Sequence, residues 1–292
     1  MILASHGIIA SQIQSYAFLL DTYTSAAAAY SLRKLRSAYT GNAIRVRRSS
    51  DNTETNIGFS SSFGLDTTAL TSFCGAGNGF VTTWYDQSGN ANNATQTTAA
   101  NQPQIVSSGS VIVENGKPSI QWDLTDSLRT ATNLLLSNTN YTSFHVVKQT
   151  TNIENAGIIS LTPSSGNDFD QFNGLVETCA NNVKLYDMLN NFTSVDIFQS
   201  GTGATPYGLR SAIKTPTFAE IFVNNISISN VTKTISSGTS NSILLGQRFV
   251  SSAAQTTFGL SGIMQEVIIY LQNESSNRSQ ISTNINSYYA IY

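Results

Sequence analysis

The sequence predicts a mainly β protein: an antiparallel β-sandwich with a short helical segment at its N-terminus and a helix at its C-terminus. Short stretches rich in β-branched and aromatic residues recur along the chain, for example at 80–85 and 119–123. Polar turns rich in Asn, Gly and Ser separate them, and long helical patterns are few. Many short strands joined by polar turns are typical of sandwiches and jelly rolls.

The strands themselves follow from local patterns. Residues 119–123 alternate between apolar and polar side chains, as a half-buried strand does, and 80–85 is a continuous β-branched and aromatic run. Later strand candidates are 141–148, 157–161, 218–223, 242–245 and 262–270. The residues predicted to fill the space between the two sheets are Trp84, Ile120, Trp122, Val267 and Ile269.

Residues 1–25 are predicted to form a helical segment that precedes the sandwich of residues 26–292. Apolar residues in this segment follow a 4, 3, 4, 3 spacing, which forms one stripe on a helix. The stripe consists of Ile9, Ile13, Tyr16, Leu20 and Tyr23. Two heptads are too short for an independent coiled coil. The stripe therefore packs either on the chain's own sheet or on other molecules, and we predict a homotrimer that docks through it.

Two further stretches favour helix. One runs from Ala26 to Leu35 and ends before Gly41 and Asn42. The other closes the chain, where apolar residues fall on one face and a serine can cap the first turn. The residues of this face are Ile281, Ile285, Tyr288 and Tyr292, and the capping candidates are Ser275 and Ser276.

The charge content excludes several classes of partner. Charged residues make up 11% of the chain, against about 25% in an average domain. The net charge is −2 and the pI about 5.6, so no basic field attracts nucleic acid. The basic residues Arg45, Arg47 and Arg48 are expected on the solvent face of a strand. Apolar runs are too short to span a membrane, and the Ser-, Thr- and Asn-rich surface suits sugars or neutral partners.

Cysteines, histidines and carboxylates give few metal candidates. The two cysteines, Cys74 and Cys179, do not form a zinc pattern, and their pairing is left open. Asp168 and Asp170 lie in a turn-rich loop with a spacing that can hold calcium, although a solvated loop tip explains them as well. No metal or cofactor is therefore assigned, with calcium the single alternative.

Several motifs resemble concanavalin A-like and laminin-G-like domains. Residues 262–270 read G-I-M-Q-E-V-I-I-Y, similar to the last strand of such domains, and residues 86–93 resemble their early D-x-S-G-N turn. Residues 116–123 resemble the G-K-P strand that ends in an aromatic residue and Asp. The resemblance implies a concanavalin A-like jelly roll over residues 26–292.

A narrower resemblance covers residues 26–96, which are similar to the opening of the fungal α-L-arabinofuranosidase B catalytic domain, a retaining glycosidase. That family pairs the cysteine matching Cys74 with a nearby second cysteine and has a vicinal Cys-Cys pair beside its sugar site. This chain has neither. The family's nucleophile and acid also find no matching motif here, so the resemblance is expected to carry the fold without activity.

A hydrolase would nevertheless require two carboxylates that face one sugar. Glu266, in the motif of the last strand, is expected to bind the backbone or an arginine instead. The carboxylates considered are Asp168, Asp170, Glu177, Asp187, Asp196, Glu220 and Glu266.

The N-terminal residues 5–11 and the following opening also resemble virion proteins of phages that infect Bacteroidetes. The first Lys or Arg is Arg33, so no secretory signal is expected. The resemblance implies a non-enzymatic virion protein (head fibre, spike or tail-associated), made in the host cytoplasm and attached to other virion proteins by its N-terminal segment. Its lectin-like domain would bind host surface glycans through loop aromatics. These are Phe169, Phe172, Tyr186, Phe192 and Tyr207.

Two alternatives remain open. The first is a retaining glycoside hydrolase related to the α-L-arabinofuranosidases. The second is a bacterial surface adhesin that binds carbohydrate, which the lack of an export signal disfavours.

Overall fold

The fold was determined as a computed structural model that describes residues 18–168, 175–181, 184–189, 196–200, 204–235 and 237–292. Between 175 and 200 the side chains it describes are those of Val176, Glu177 and Thr178. Three α-helices are present in these ranges: α1 (Leu19–Thr22), α2 (Thr67–Cys74) and α3 (Arg278–Tyr289). Two short 3-10 helices cover Ala99–Asn101 and Thr256–Phe258.

Strands account for most of the regular structure. The strands of the first half are β1 (Ala28–Ser31), β2 (Ile44–Arg48), β3 (Glu54–Ile57), β4 (Gly79–Trp84), β5 (Ala94–Thr95), β6 (Gln104–Ser107), β7 (Ser110–Val111), β8 (Val113–Glu114), β9 (Lys117–Pro118), β10 (Ile120–Trp122), β11 (Leu128–Arg129), β12 (Leu136–Ser137) and β13 (Tyr141–Gln149). Those of the second half are β14 (Gly157–Thr162), β15 (Leu175–Asn181), β16 (Lys184–Leu189), β17 (Asp196–Ser200), β18 (Gly208–Lys214), β19 (Phe218–Val223), β20 (Ile226–Thr232), β21 (Thr239–Ser240), β22 (Ser242–Leu245), β23 (Arg248–Val250), β24 (Ala253–Gln255) and β25 (Gly262–Tyr270).

The strands form two layers, and every pair is antiparallel. In one layer β25 pairs with β1 and β10 on one side and with β13 on the other, followed by β18, β19 and β20. The other layer runs β3, β2, β4, β5, β11, β22, β14, β15, β16 and β17. Strand β6 pairs with both β4 and β10 and so connects the layers at one corner. The predicted antiparallel sandwich is confirmed.

The core between the layers contains the residues that the sequence placed there. A single apolar cluster joins side chains of both sheets, and the five predicted residues are each at most 1% exposed. These are Trp84, Ile120, Trp122, Val267 and Ile269. Alternating apolar residues on half-buried strands therefore identified the inner face correctly.

The helix predicted from Ala26 to Leu35 is wrong, because this stretch contains strand β1. Ala28 and Ala29 pair with Ile269 and Ile268 of β25, and both alanines are fully buried. The backbone N–H of Ala29 also donates to the Asp86 carboxylate at 2.8 Å. Pairing with a long central strand thus overrides the helix propensity of alanine, as tertiary context commonly does.

The C-terminal helix is confirmed as α3. Ile281, Ile285 and Tyr289 are buried in a second apolar cluster on the outer face of the β25 layer. The helix begins after Asn277 rather than at a serine cap, and it ends before the exposed Tyr292. This helix therefore covers one face of the sandwich.

Part of the N-terminal stripe belongs to the same cluster. Leu20, in α1, is fully buried within the chain, and Tyr23 packs against the cluster. Leu20 is therefore not available to a partner molecule. Ile9, Ile13 and Tyr16 lie outside the described residues, and for them the docking and trimer hypothesis stays a prediction.

The structure also bears on the cysteines and on membrane association. Cys74 is a buried free thiol beneath Gly79, so it forms no disulfide. Within the ranges that the structure describes, no helix is long and apolar enough to cross a membrane.

Candidate functional site

A cavity of about 290 Å³ opens beside the corner where β4, β6 and β10 meet. It lies where β10 ends and the chain turns away from the buried Trp122. The lining residues are Phe80, Ala99, Ala100, Gln102, Gln104, Gln121, Asp123 and Asp126. Two carboxylates, three amides and one aromatic ring thus surround a single space.

The two carboxylates are positioned by a tight turn over residues 123–126. The backbone N–H of Asp123 donates to Asp126 Oδ2 at 2.7 Å. The N–H and the hydroxyl of Thr125 both donate to Asp123 Oδ1, each at 2.7 Å. Short polar side chains of this kind stabilise turns by bonding to the nearby backbone. The turn leaves one oxygen of each carboxylate without a hydrogen bond from the described part of the chain.

The two carboxylates differ in environment. Asp126 is 5% exposed, whereas Asp123 lies at the surface. Burial, together with repulsion from nearby Asp123, raises the pKa of Asp126 to about 7, against the opposing hydrogen bond from the Asp123 backbone. Asp126 is therefore protonated at mildly acidic pH, while Asp123 accepts two hydrogen bonds from Thr125. A protonated carboxyl beside a second carboxyl group in one cavity is an arrangement that acid–base catalysis can use.

The opposite wall supplies polar contacts and one aromatic surface. Gln102 is 4% exposed, and its amide donates to the Gln96 carbonyl at 3.0 Å. Gln104 and Gln121 are partners in neighbouring strands, β6 and β10. Amide groups bind sugar hydroxyls as donors and acceptors, and an aromatic ring such as Phe80 offers an apolar surface. No cationic side chain is among the lining residues.

A second set of polar residues is buried inside the sandwich. Glu177 of β15 is fully buried and accepts a hydrogen bond from the Tyr141 hydroxyl at 2.5 Å. His145 Nδ1 lies 3.9 Å from Glu177 Oε2, and Arg210 pairs with His145 in register. Burial raises the pKa of Glu177 to about 7 and lowers that of His145 to about 3. Both groups are thus neutral in mildly acidic solution, and no solvent reaches Glu177.

This buried acid leads to a prediction for stability. In the unfolded chain a Glu side chain loses its proton above its ordinary pKa of 4.5. In the folded protein burial raises the pKa of Glu177 to about 7, so it keeps its proton up to that pH. The stability that the proton contributes is therefore present below pH 4.5 and lost as the pH rises to 7, on the order of 3 kcal/mol. Gln mimics the protonated form and cannot ionise. The melting temperature of E177Q minus that of wild type should therefore increase as the pH is raised from 4.5 to 7. A difference independent of pH would contradict the assignment.

Of the aromatic residues predicted to bind glycan, Tyr207 alone has a side chain within the described part of the chain, and it does not line the cavity. Tyr207 is half-buried, and its hydroxyl donates to Gln265 Oε1 at 2.7 Å. Phe169, Phe172 and Phe192 lie outside the described residues, as does the side chain of Tyr186. The glycan-binding hypothesis for these aromatics therefore stays a prediction.

Of the two calcium candidates, Asp168 and Asp170, the structure describes Asp168. Asp168 is fully buried, and Arg248 binds both of its oxygens at 2.8 to 3.0 Å. Ser160 and the Phe249 N–H also donate to this carboxylate. A cation would have to displace Arg248 to reach it. Asp170 lies outside the described residues, and within them no group of three or more His, Cys, Asp or Glu side chains is arranged to hold a metal.

Sequence reasoning missed Asp123 and Asp126. The available signal was the D-L-T-D run directly after the core residue Trp122, because an acidic turn at a strand end places carboxylates at the rim of the sheet. Glu177 was among the candidates but lies in the core. A larger cavity of about 700 Å³ contains one carboxylate, Asp66, which caps helix α2.

The comparisons with known proteins cover different shares of the chain. A sequence model of the family described as "Alpha-L-arabinofuranosidase B, catalytic" matches residues 19–152. A GH54 α-L-arabinofuranosidase soaked with a cyclic sulfate inhibitor superposes with a TM-score of 0.67 at 16% identity. The chain has the arabinofuranosidase sandwich fold. An arabinofuranosidase complexed with arabinofuranosyl-α-1,2-xylobiose gives 0.68 at 17% identity.

In both superpositions 91% of this chain is covered, and the chain spans 64% of the length of those enzymes. A search of curated protein sequences finds no match.

These findings correct the functional prediction from sequence. The match over residues 19–152 and the superposed structures belong to glycoside hydrolases, not to virion components. The predictions of a phage fibre, spike or tail-associated protein, of a virion location and of a protein without enzymatic activity are therefore wrong. The missing vicinal cysteines excluded a sugar site that has a Cys-Cys pair beside it. They did not exclude a site formed by carboxylates elsewhere on the sandwich. The glycoside hydrolase alternative is the better supported one.

Proposed function

We propose that this chain is a retaining glycoside hydrolase domain that releases terminal α-L-arabinofuranosyl residues. The observation that carries the proposal is that the cavity with Asp123 and Asp126 lies inside the segment matched by the arabinofuranosidase B catalytic family, residues 19–152. The superposed enzymes support the same class of substrate, since one of them holds an arabinofuranosyl xylobiose.

In the proposed reaction, Asp126 is the general acid and Asp123 the nucleophile. The Asp126 proton passes to the glycosidic oxygen while the free oxygen of Asp123 attacks the anomeric carbon, and the aglycone departs as an alcohol. Water, deprotonated by Asp126, then attacks the glycosyl–Asp123 ester and returns both carboxylates to their starting states. Burial of Asp126 supplies the acid at mildly acidic pH, and the two Thr125 donors hold the Asp123 carboxylate in place.

The lining of the cavity favours a small neutral sugar. A volume of about 290 Å³ lies at the lower end of the range for small-molecule pockets and accommodates about one sugar ring. Three glutamine amides can bind ring hydroxyls, and no lining cation selects an anionic substituent. A terminal, uncharged furanose fits this chemistry better than an internal unit of a long chain or a uronic acid.

The test is hydrolysis of 4-nitrophenyl α-L-arabinofuranoside as a function of pH. Since Asp126 must carry a proton, kcat/KM should be constant at mildly acidic pH and fall about tenfold per pH unit above 7. The β-D-xylopyranoside and β-D-glucopyranoside analogues should react at least tenfold more slowly.

The variant E177Q serves as a control, because Glu177 is the other carboxyl group whose pKa is raised. It should retain the rate and the pH profile, because Glu177 is sealed from solvent. Absence of turnover at every pH would overturn the proposed function. Loss of turnover in E177Q with an unchanged rate in D126N would instead indicate that the active site lies at Glu177 in the core.

A further inference from the structure

Another cavity, of about 340 Å³, lies where the chain enters strand β2 and leaves strand β3. We call it the β2–β3 cavity, and it shares no lining residue with the cavity that contains Asp123 and Asp126. Its lining residues are Lys34, Tyr39, Thr40, Gly41, Asn42, Gly58, Phe59, Ser60 and Phe63. Three aromatic rings together with hydroxyl, amide and ammonium groups are typical of a site that binds a small polar molecule.

Phe63, which lines this cavity, has a backbone conformation that its side chain disfavours. Its φ is +65°, in the left-handed region, whereas every other non-glycine residue of positive φ in the described chain is Asn, Ser or Ala. The ring is 44% exposed, so burial in the core does not account for its position. It makes an edge contact with the Phe18 ring, with 4.9 Å between the two centroids. Bulky residues in this region are outliers, and such strain clusters at binding sites.

Backbone hydrogen bonds impose this conformation on residue 63. The Phe63 N–H donates to the Ser60 carbonyl at 2.9 Å, and the Phe63 carbonyl accepts the Lys34 N–H at 2.7 Å. The Ser60 N–H donates to the Gly64 carbonyl at 2.8 Å, which closes the turn. Asn or Gly would adopt the same backbone with less strain. The strained Phe63 therefore points to a role of its exposed ring in binding rather than in folding.

The other two rings are half-buried and held in place. Tyr39 and Phe59 make an edge contact, with 6.3 Å between their centroids. The Tyr39 hydroxyl donates to the Asn42 carbonyl at 2.9 Å. The same ring lies against Gly41, where a Cβ would come within 2.5 Å of the hydroxyl oxygen. The cavity thus has a preformed aromatic wall.

Two polar side chains at the cavity have no strong partner in the described part of the chain. The side-chain amide of Asn42 makes no hydrogen bond there, and its Oδ1 lies 3.7 Å from the point that a Cβ of Gly58 would occupy. Lys34 forms no ion pair with a described carboxylate, and its Nζ lies 5.8 Å from the centre of the Phe18 ring. An amide offers donors and an acceptor, and an ammonium group offers donors. Both can therefore bind the hydroxyl groups of a ligand.

We propose that the β2–β3 cavity is a non-catalytic binding site for pyranose rings of a β-linked polysaccharide. A pyranose with equatorial hydroxyls and linkages has apolar C–H groups on both faces, which pack on aromatic rings. Its hydroxyl groups lie at the edge of the ring, where Asn42 and Lys34 bind them. No carboxylate is among the described lining residues, so the site binds without hydrolysing. The inference goes beyond the proposed function and does not depend on which carboxylates carry out hydrolysis.

The experiment is an NMR titration of the full chain with xylotriose, for wild type, F63N, N42A and the control L135N. Leu135 is an exposed apolar residue that does not line the cavity. Xylotriose should shift the backbone amide signals of residues 39–42 and 59–63 in wild type. F63N should raise the dissociation constant at least about fivefold, as loss of an aromatic anchor does. N42A should raise it about threefold through loss of a hydrogen bond, and L135N should stay within about twofold of wild type.

The melting temperature of F63N separates a binding role from a structural one. Asn accepts a positive φ more readily than Phe, so F63N should melt at the same temperature as wild type or higher while binding more weakly. Its turnover of 4-nitrophenyl α-L-arabinofuranoside should equal that of wild type, because the β2–β3 cavity supplies neither acid nor base.

Several outcomes would overturn the proposal. These are shifts confined to other parts of the chain, wild-type affinity in F63N, equal weakening in L135N, or a lower melting temperature of F63N. If F63N does not fold, N42A decides, since its amide makes no hydrogen bond within the described chain. Xylotriose binding with the expected defects but without hydrolysis of any glycoside would overturn the proposed function alone. Hydrolysis without xylotriose binding at the β2–β3 cavity would overturn this inference alone.

Discussion

Replacing Asp126 by Asn is expected to lower kcat for 4-nitrophenyl α-L-arabinofuranoside by about 10²- to 10⁴-fold, the usual contribution of a general acid. The substitution keeps the size of the side chain and an oxygen that can accept the Asp123 N–H. The turn should therefore remain folded. What the variant lacks is the proton that burial keeps on Asp126 up to about pH 7.

The matched control is D51N, which changes an exposed aspartate that pairs with Arg48 outside the cavity. Its rate should stay within twofold of wild type, and both variants should keep the wild-type circular dichroism spectrum. A D126N rate within threefold of wild type would show that Asp126 is not the acid.

The largest effect on stability is expected at the ion pair between Arg33 and Glu266. Arg33 binds both carboxylate oxygens, at 2.8 and 2.9 Å, and both side chains are buried. Ser31 and Tyr289 donate to the same carboxylate. E266A leaves the arginine buried without its counter-ion, so it should cost about 3–5 kcal/mol in the free energy of unfolding.

Chemical denaturation of E266A and of the exposed-pair variant E54A measures this difference. The pair of Arg45 and Glu54 is partly solvated, and such pairs contribute about 0–1 kcal/mol. Similar losses in the two variants would contradict the role given to the buried pair. Because Glu266 joins β25, β1 and α3, its loss should also lower the protection of β1 amides from hydrogen exchange.

The sequence was sufficient for the sandwich because its core strands carry their own pattern. Trp84 and Trp122 lie in short runs whose apolar residues alternate or cluster as strands require, and both are buried. Glu266 was expected to have a structural role because of its place in the last strand, and its buried ion pair with Arg33 confirms this. Strand β1 was missed because its alanines favour helix locally, and its pairing with β25 is more than 230 residues distant.

The candidate site depended on distances that the sequence does not contain. The pKa of Asp126 is raised because the turn after β10 is packed beneath the 3-10 helix at Ala99–Asn101 and beside β6. Arg47 was expected simply to face solvent, but its guanidinium reaches Gln102, 55 residues further along the chain. Comparing motifs showed that the family's vicinal cysteine pair and its catalytic carboxylates have no match in this sequence. It could not show which other carboxylates the sheet brings close together.

The most direct test of the account is to label the wild-type protein with an arabinofuranose-configured cyclic sulfate, in which a carboxylate attacks the anomeric carbon and opens the sulfate ring. Peptide mapping by mass spectrometry then identifies the esterified residue. We expect a single label on Asp123, lost in D123N and prevented by excess L-arabinose. A label on any other residue, or no label under conditions in which hydrolysis occurs, would contradict the placement of the active site in this cavity.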